Sequence, residues 1–233
     1  MPPTRVQAVL REWFEVWGLP ERFRVDNGSP WGSSGDLPPD LALWILGLGI
    51  DIHWNRPAQP QENGVVERSQ GTAKRWADPA ACASVAALQK ALDRMDRIQR
   101  ESYPAEGRVP RMQIWPELSH SGRAYTRSWE DRHWDFTRVL NHLADYAVIR
   151  HVTRNGRISL YNRTRYVGCL YRGQTVYVML DPQEITWVIA DTEGRQLSRL
   201  PAAEITASNI NQLNVAIRPA VSRRQRRRAA KLL

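Results

Sequence analysis

Two carboxylates stand at positions from which a strand and a helix can present them together. Asp26 follows the run Arg22-Phe23-Arg24-Val25 and opens Asp26-Asn27-Gly28. Glu67 lies inside Asn55 to Trp76, NRPAQPQENGVVERSQGTAKRW. Hard divalent cations such as Mg²⁺ take oxygen ligands, usually one or two carboxylates plus substrate phosphate. Two such ions roughly 4 Å apart stabilise the attacking and leaving oxygens of an in-line phosphoryl transfer. Each signal alone has a plainer reading. Asp-Asn-Gly suits any tight turn, and Glu67 near a helix start complements the positive end of the helix dipole.

The elements that must position these groups alternate between helix and strand. Val6, Val9, Leu10, Trp13 and Trp17 recur at helical spacing over residues 4–17. Residues 22–25 alternate like a strand, 38–48 read as a helix and 50–54 as another strand. The Asn55–Trp76 stretch opens as a Pro-rich turn and becomes helical, with Asn63 placed to cap it through its side-chain oxygen. Steps of 100° put Glu67, Gln70, Gly71 and Lys74 on one face, and Val65, Val66, Ala73 and Trp76 on the other. A second long helix is expected over 84–103. This alternation argues for an α/β layer domain. Residues 104–128 are broken by Pro and Gly and read as a linking segment.

From Asp145 the texture changes to five short runs rich in β-branched and aromatic residues: 146–152, 157–161, 174–180, 184–190 and 195–200. Asn155-Gly156 between two of them is a hairpin signal. Five strands in so short a span predict a small barrel or sandwich. Trp187 can stack a base, or be buried in its strand. Beyond Arg218 the chain has no buried pattern and is expected to be disordered.

The formal charge is +9, and the last 28 residues, with seven basic and no acidic side chains, hold +7 of it. Arg223, Arg224, Arg226, Arg227 and Arg228 form the footprint of sequence-tolerant phosphate binding. A membrane surface would want apolar anchors among those charges, and DNA is the favoured partner. No window approaches a membrane span, and Met1-Pro-Pro-Thr does not resemble a signal peptide. Cys82 and Cys169 are isolated. Neither they nor His53, His120, His133, His142 and His151 show zinc-ligand spacing. A cytoplasmic, nucleoid-associated protein is expected.

Val25-Asp26-Asn27-Gly28, followed by the run from Pro57 to Arg68 (PAQPQENGVVER), resembles the second and third acidic motifs of DDE integrases and transposases. These are recombinases with a ribonuclease H-like core. The resemblance extends to the helix before Asp26, to residues 49–54, to 123–134 and to the later β-rich module with its 155–158 turn. It implies Asp26 and Glu67 as catalytic ligands of Mg²⁺ or Mn²⁺, and Lys74 facing the same groove on DNA phosphate, with Arg68 and Arg75 as further DNA contacts. Asn27, Gly28, Asn63 and Gly64 would shape the two turns. It also implies DNA ends and target as partners and a homo-oligomer.

The family carries a third acid on an earlier strand, beside the strand that ends at Asp26. Only Glu12, Glu15 and Glu21 precede Asp26 here, and none matches that place. The resemblance therefore implies a partial core with its early strands absent, an open edge on the Asp26 strand, and weak or no strand transfer by this chain alone. The expected organisation is a partial core over 1–103, a wrapping linker over 104–144, a DNA-binding β-barrel over 145–206 and a basic tail over 207–233. The function so implied is DNA integration and recombination by metal-dependent phosphoryl transfer. The alternatives are a non-catalytic DNA-binding or regulatory derivative of a transposase, and a ribonuclease H-like nuclease.

Overall fold

A computed structural model describes residues 1–32, 36–56 and 59–217. In chain order its helices are α1 (Pro3–Trp17), α2 (Asp40–Gly47), α3 (Gly64–Trp76), α4 (Val85–Glu101), α5 (Arg111–Ile114), α6 (Arg127–His133), α7 (Phe136–Ala144) and α8 (Ala207–Asn211). The strands are β1 (Arg22–Val25), β2 (Asp51–Trp54), β3 (Val148–His151), β4 (Arg157–Leu160), β5 (Arg163–Tyr166), β6 (Thr175–Asp181), β7 (Thr186–Ala190) and β8 (Gln196–Pro201). The chain is thus mixed α/β. It folds as two compact units, neither continuous in sequence: Val6–Asn27 with Ile50–His133, and Met1–Arg5 with Gly28–Gly49 and Trp134–Leu233.

In the first of these units β1 and β2 pair in parallel, with Arg22 opposite Asp51 and Val25 opposite Trp54. The ladder is prolonged by Asp51 N–H on the Glu21 carbonyl and Asn55 N–H on the Val25 carbonyl. Among the described residues neither strand has a further strand partner. A parallel pair standing alone is unusual, because parallel sheets are normally larger and covered on both faces. α1 buries Gln7, Leu10 and Phe14, and Phe14 meets the rings of Phe23 and Tyr125 at 5.9 and 5.7 Å. α3 and α4 pack on each other, yet no residue of either is fully buried. Val65 and Val85 are 82% and 85% exposed. Trp76 closes the end of this pair against Tyr103, ring to ring at 5.7 Å.

A buried carboxylate ties α6 to α1. Glu130 accepts from Arg11 Nε and Nη2 at 3.0 and 2.6 Å, from the Tyr125 hydroxyl and from Arg127 Nη1 at 3.3 Å. Burial first, and the Glu130 hydrogen bond second, push the Tyr125 hydroxyl far above its ordinary value. α6 and α7 both lie in the span expected to be linker. Only the tertiary environment, which buries one carboxylate in α6 and three aliphatic side chains in α7, makes them distinct.

The second unit is organised on α2, which is buried on every side. A helix apolar all round belongs in a core, and α2 meets α7 and α8. At Gly47 an added Cβ would lie 2.2 Å from the Trp134 ring. That indole instead sits against the bare backbone and donates to the Trp44 carbonyl at 3.0 Å. The position demands glycine for reasons of space.

The β-rich module departs from expectation in three ways. Its strands form a four-stranded antiparallel sheet ordered β3-β6-β7-β8 and a separate β4-β5 hairpin, so no barrel closes among the described residues. Asn155-Gly156 makes a tight turn, with Gly156 N–H on the Thr153 carbonyl at 2.9 Å, but β3 and β4 diverge into different sheets and no hairpin forms there. The real hairpin turn is Tyr161-Asn162, both at positive φ, as two-residue turns that match strand twist require. It joins β4 to β5, a strand missed for want of a glycine in the turn. Trp187 is fully buried, its ring N–H donating to Glu204 at 2.9 Å.

Residues 207–217, expected to belong to the tail, are folded. Thr206 caps α8 through Asn209 N–H at 3.1 Å, and Ile210, Leu213 and Val215 are buried. Three aliphatic residues suffice to hold this short segment. Arg223, Arg224, Arg226, Arg227 and Arg228 lie outside the described residues, as does Pro57.

Candidate functional site

β1 delivers Asp26 at its end, and the 3₁₀ turn Pro60–Asn63 runs directly into α3, which carries Glu67 in its first turn. The two segments are held together by Asn55, a residue 6% exposed. Its side-chain oxygen accepts from Arg24 Nε at 2.8 Å and its amide donates to Asn63 Oδ1 at 2.5 Å. Its backbone carbonyl accepts from Asn27 Nδ2 at 2.7 Å, and its own N–H reaches the Val25 carbonyl at 2.8 Å. Arginine can only donate, so the guanidinium fixes which end of the Asn55 amide faces it, and that in turn orients Asn63. Every polar group of Asn55 is used, as burial requires.

Glu62 completes the brace. Its carboxylate accepts from Arg56 N–H at 2.9 Å and pairs with Arg24 Nη2 at 3.2 Å. The Arg56 hydrogen bond, assisted by Arg24, holds the carboxyl below its ordinary range against a smaller opposing effect of burial. Glu62 therefore holds the turn from both sides, through Arg56 and Arg24. Nothing in the sequence marked Arg24, Asn55 and Glu62 as partners, since they lie on three separate segments.

The cap expected at Asn63 does not form. Asn63 has αR backbone angles and makes no side-chain bond to the first turn of α3, because its oxygen is committed to Asn55. The 3₁₀ turn already leads into the helix. Gly64 has ordinary helical angles (φ −56°, ψ −30°), and a Cβ there would meet nothing within 4 Å. Gly28 accepts from both Trp31 and Gly32 N–H groups at 2.9 and 2.8 Å, so its carbonyl closes a tight turn after Asn27.

Asp26, Glu67, Arg68, Lys74 and Arg75 are all exposed. The basic residues of α3 divide between two sides of the helix. Arg68 and Arg75 line a groove of about 780 Å³ with Trp76, Met95, Tyr103 and Leu118. Glu67, Gln70 and Lys74 do not line it, in keeping with their place on the opposite face. Neither Arg68 nor Arg75 is ion-paired among the described residues, whereas Arg100 and Arg111 on the far wall are engaged by Asp96 and Gln99.

No family model matches the chain. Among the described residues there is no group of three or more His, Cys, Asp or Glu placed to hold a metal ion. The donors that Asp26 and Glu67 offer are exposed carboxylate oxygens, the chemistry that Mg²⁺ or Mn²⁺ accepts with one or two protein carboxylates. No described helix is long and apolar enough to cross a membrane.

Proposed function

We propose that this chain acts on DNA as part of a DDE-type integrase or transposase, its core being a partial ribonuclease H-like fold. The observation that carries the reading is the Asn55 brace. It binds the Asp-Asn-Gly turn to the Glu-Asn-Gly turn, the two motifs on which the family resemblance rests. Asn27 reaches the main-chain carbonyl of Asn55 and Asn63 accepts from its side-chain amide, which supports reading the two motifs as one site.

In this reading Asp26 and Glu67 hold a divalent cation. When bound, that ion supplies activation of water or of a DNA 3′-hydroxyl for phosphoryl transfer. Lys74, two turns beyond Glu67 on the same face, contacts phosphate, and Arg68 and Arg75 add positive charge on the other side of α3. Two DNA ends and a target imply a multimer of the intact recombinase.

The reading is tested by Mn²⁺ binding, followed by electron paramagnetic resonance on the whole chain with and without a labelled DNA end. Wild type should bind Mn²⁺, and Asp26→Asn or Glu67→Gln should weaken it at least several-fold. Equal Mn²⁺ binding by all three proteins overturns the assignment.

A second reading has one observation in its favour. The C-terminal module leaves several arginines without carboxylate partners, which suits a DNA-binding derivative that performs no chemistry. In that case duplex binding persists in Glu67→Gln and is indifferent to Mn²⁺.

A further inference from the structure

Charge in the C-terminal module is unevenly satisfied. Between residues 146 and 217 there are eight arginines and five acids. Four of the acids are ion-paired within the module: Asp181 to Arg199, Asp191 and Glu193 to Arg195, and Glu204 to Arg165. Arg150 pairs with Asp36 at 3.0 Å. Arg163 gives its donors to the Val215 and Asn214 carbonyls, and Arg157 lies over the Tyr166 ring at 5.9 Å. That leaves Arg154 and Arg172, both exposed, with no ion pair among the described residues.

These two arginines line one groove. Its volume is about 460 Å³, and its remaining walls are His151, Val152, Thr153 and Gly173. No carboxylate is among them. The walls are braced from behind by backbone: Gly173 N–H donates to the Val152 carbonyl and Val152 N–H to the Gln174 carbonyl, each at 2.9 Å. The turn that carries Arg154 is pressed onto a third segment at Gly156. There φ is +67° and an added Cβ would lie 2.5 Å from the Gly168 carbonyl carbon. Val167 and Gly168 N–H groups both donate to the Gly156 carbonyl, at 2.8 and 3.2 Å. The two guanidinium groups therefore project from fixed turns.

We propose that this groove is a seat for the phosphodiester backbone of nucleic acid, with Arg154 and Arg172 gripping phosphate oxygens from its two sides. This rests on the reading that the chain binds DNA, and names where the β-module does so. Guanidinium is charged at every physiological pH and matches phosphate oxygens two at a time. His151 and Thr153 add ring N–H and hydroxyl donors. Both arms are directed here to phosphate oxygens, which are the same in every sequence, so binding through them is indifferent to sequence. Two cationic arms on separate turns suit a chain of phosphates better than a single anion.

The test is fluorescence anisotropy of the whole protein with a short labelled duplex across a range of salt concentrations. It compares wild type, the Arg154→Ala/Arg172→Ala variant and an Arg195→Ala/Arg199→Ala control that removes the same formal charge. The groove variant should lose on the order of ten-fold in affinity, equally on unrelated sequences, and its log–log salt slope should flatten by about two. The control should keep the wild-type slope. A groove variant indistinguishable from wild type overturns the seat while leaving DNA binding elsewhere intact. Equal losses in both variants also overturn it, as a bulk-charge effect. A wild-type chain that binds no duplex at low salt overturns the DNA reading itself. Inorganic phosphate that shifts the Arg154 and Arg172 side-chain resonances while duplex does not would assign the groove to free anions and overturn the backbone assignment.

Discussion

Asn55 donates its side-chain amide to Asn63 Oδ1 at 2.5 Å, and so joins the end of the parallel strand pair to the turn that starts α3. Truncation to alanine leaves Arg24 Nε and the Asn63 oxygen without their partner. Arg24 is exposed and Asn63 half-buried, so the loss is that of two part-buried hydrogen bonds, about 0.5–1.5 kcal/mol each. Asn55→Ala should lower unfolding stability by that amount in urea denaturation, and should weaken Mn²⁺ binding without removing either proposed ligand. A stability change below about 0.5 kcal/mol, the scale of neutral surface changes, would mean the brace is dispensable.

Glu62 gives a pH signature. Its folded carboxyl sits below the ordinary value of 4.5 because the Arg56 N–H and Arg24 favour the charged form. A depressed folded value means the unfolded chain takes up the proton first as pH falls. The stabilisation is therefore complete above the ordinary value and is lost as pH drops through the folded one. Wild type should exceed Glu62→Gln in stability at neutral pH, with the gap closing in acid. A gap that is independent of pH would show that the ion pair and its hydrogen bond do not titrate as described.

Glu130 is the buried charge of the α1–α6 contact, with Arg11 paired to it at 2.6 Å. Removing one partner of a buried pair strands the other, at about 3–5 kcal/mol. Glu130→Ala should unfold at correspondingly lower denaturant, and the Glu130→Ala/Arg11→Met double variant should recover part of the loss. Additive losses in the double variant would place the energy somewhere other than in this pair.

Gly156 combines a left-handed backbone with a close approach to residue 168. An alanine there meets the left-handed penalty of about 1–2 kcal/mol and about 1–3 kcal/mol of overpacking. Gly156→Ala should destabilise clearly, whereas Gly194→Ala, at φ +83° but with open space around it, should show the backbone penalty alone. Calorimetric melting of the two variants separates the contributions.

Deletion of residues 218–233 removes Arg223, Arg224, Arg226, Arg227 and Arg228 together with Arg218 and Lys231. DNA affinity should fall and its salt dependence flatten, since the slope counts neutralised phosphates. Unchanged affinity and slope would exclude the tail as a phosphate contact.

What the sequence determined by itself is local. Helical spacing marked α1, α3 and α4, alternation marked β1 and β2, and the angular order of α3 placed Glu67 and Lys74 on one face. These follow from periodicity, which a single segment carries whole. The paired Asp-Asn-Gly and Glu-Asn-Gly motifs were likewise legible. The tertiary structure decided what depends on partners distant in the chain. Asn63 gives up a helix cap because Asn55 claims its oxygen. Glu62 is held because Arg24 and Arg56 reach it from other segments. The strands of the C-terminal module pair across β3 and β6 rather than across the Asn155-Gly156 turn, so no barrel closes. In each case a short-range preference worth about a kilocalorie yields to hydrogen bonds and burial that exist only once remote segments meet.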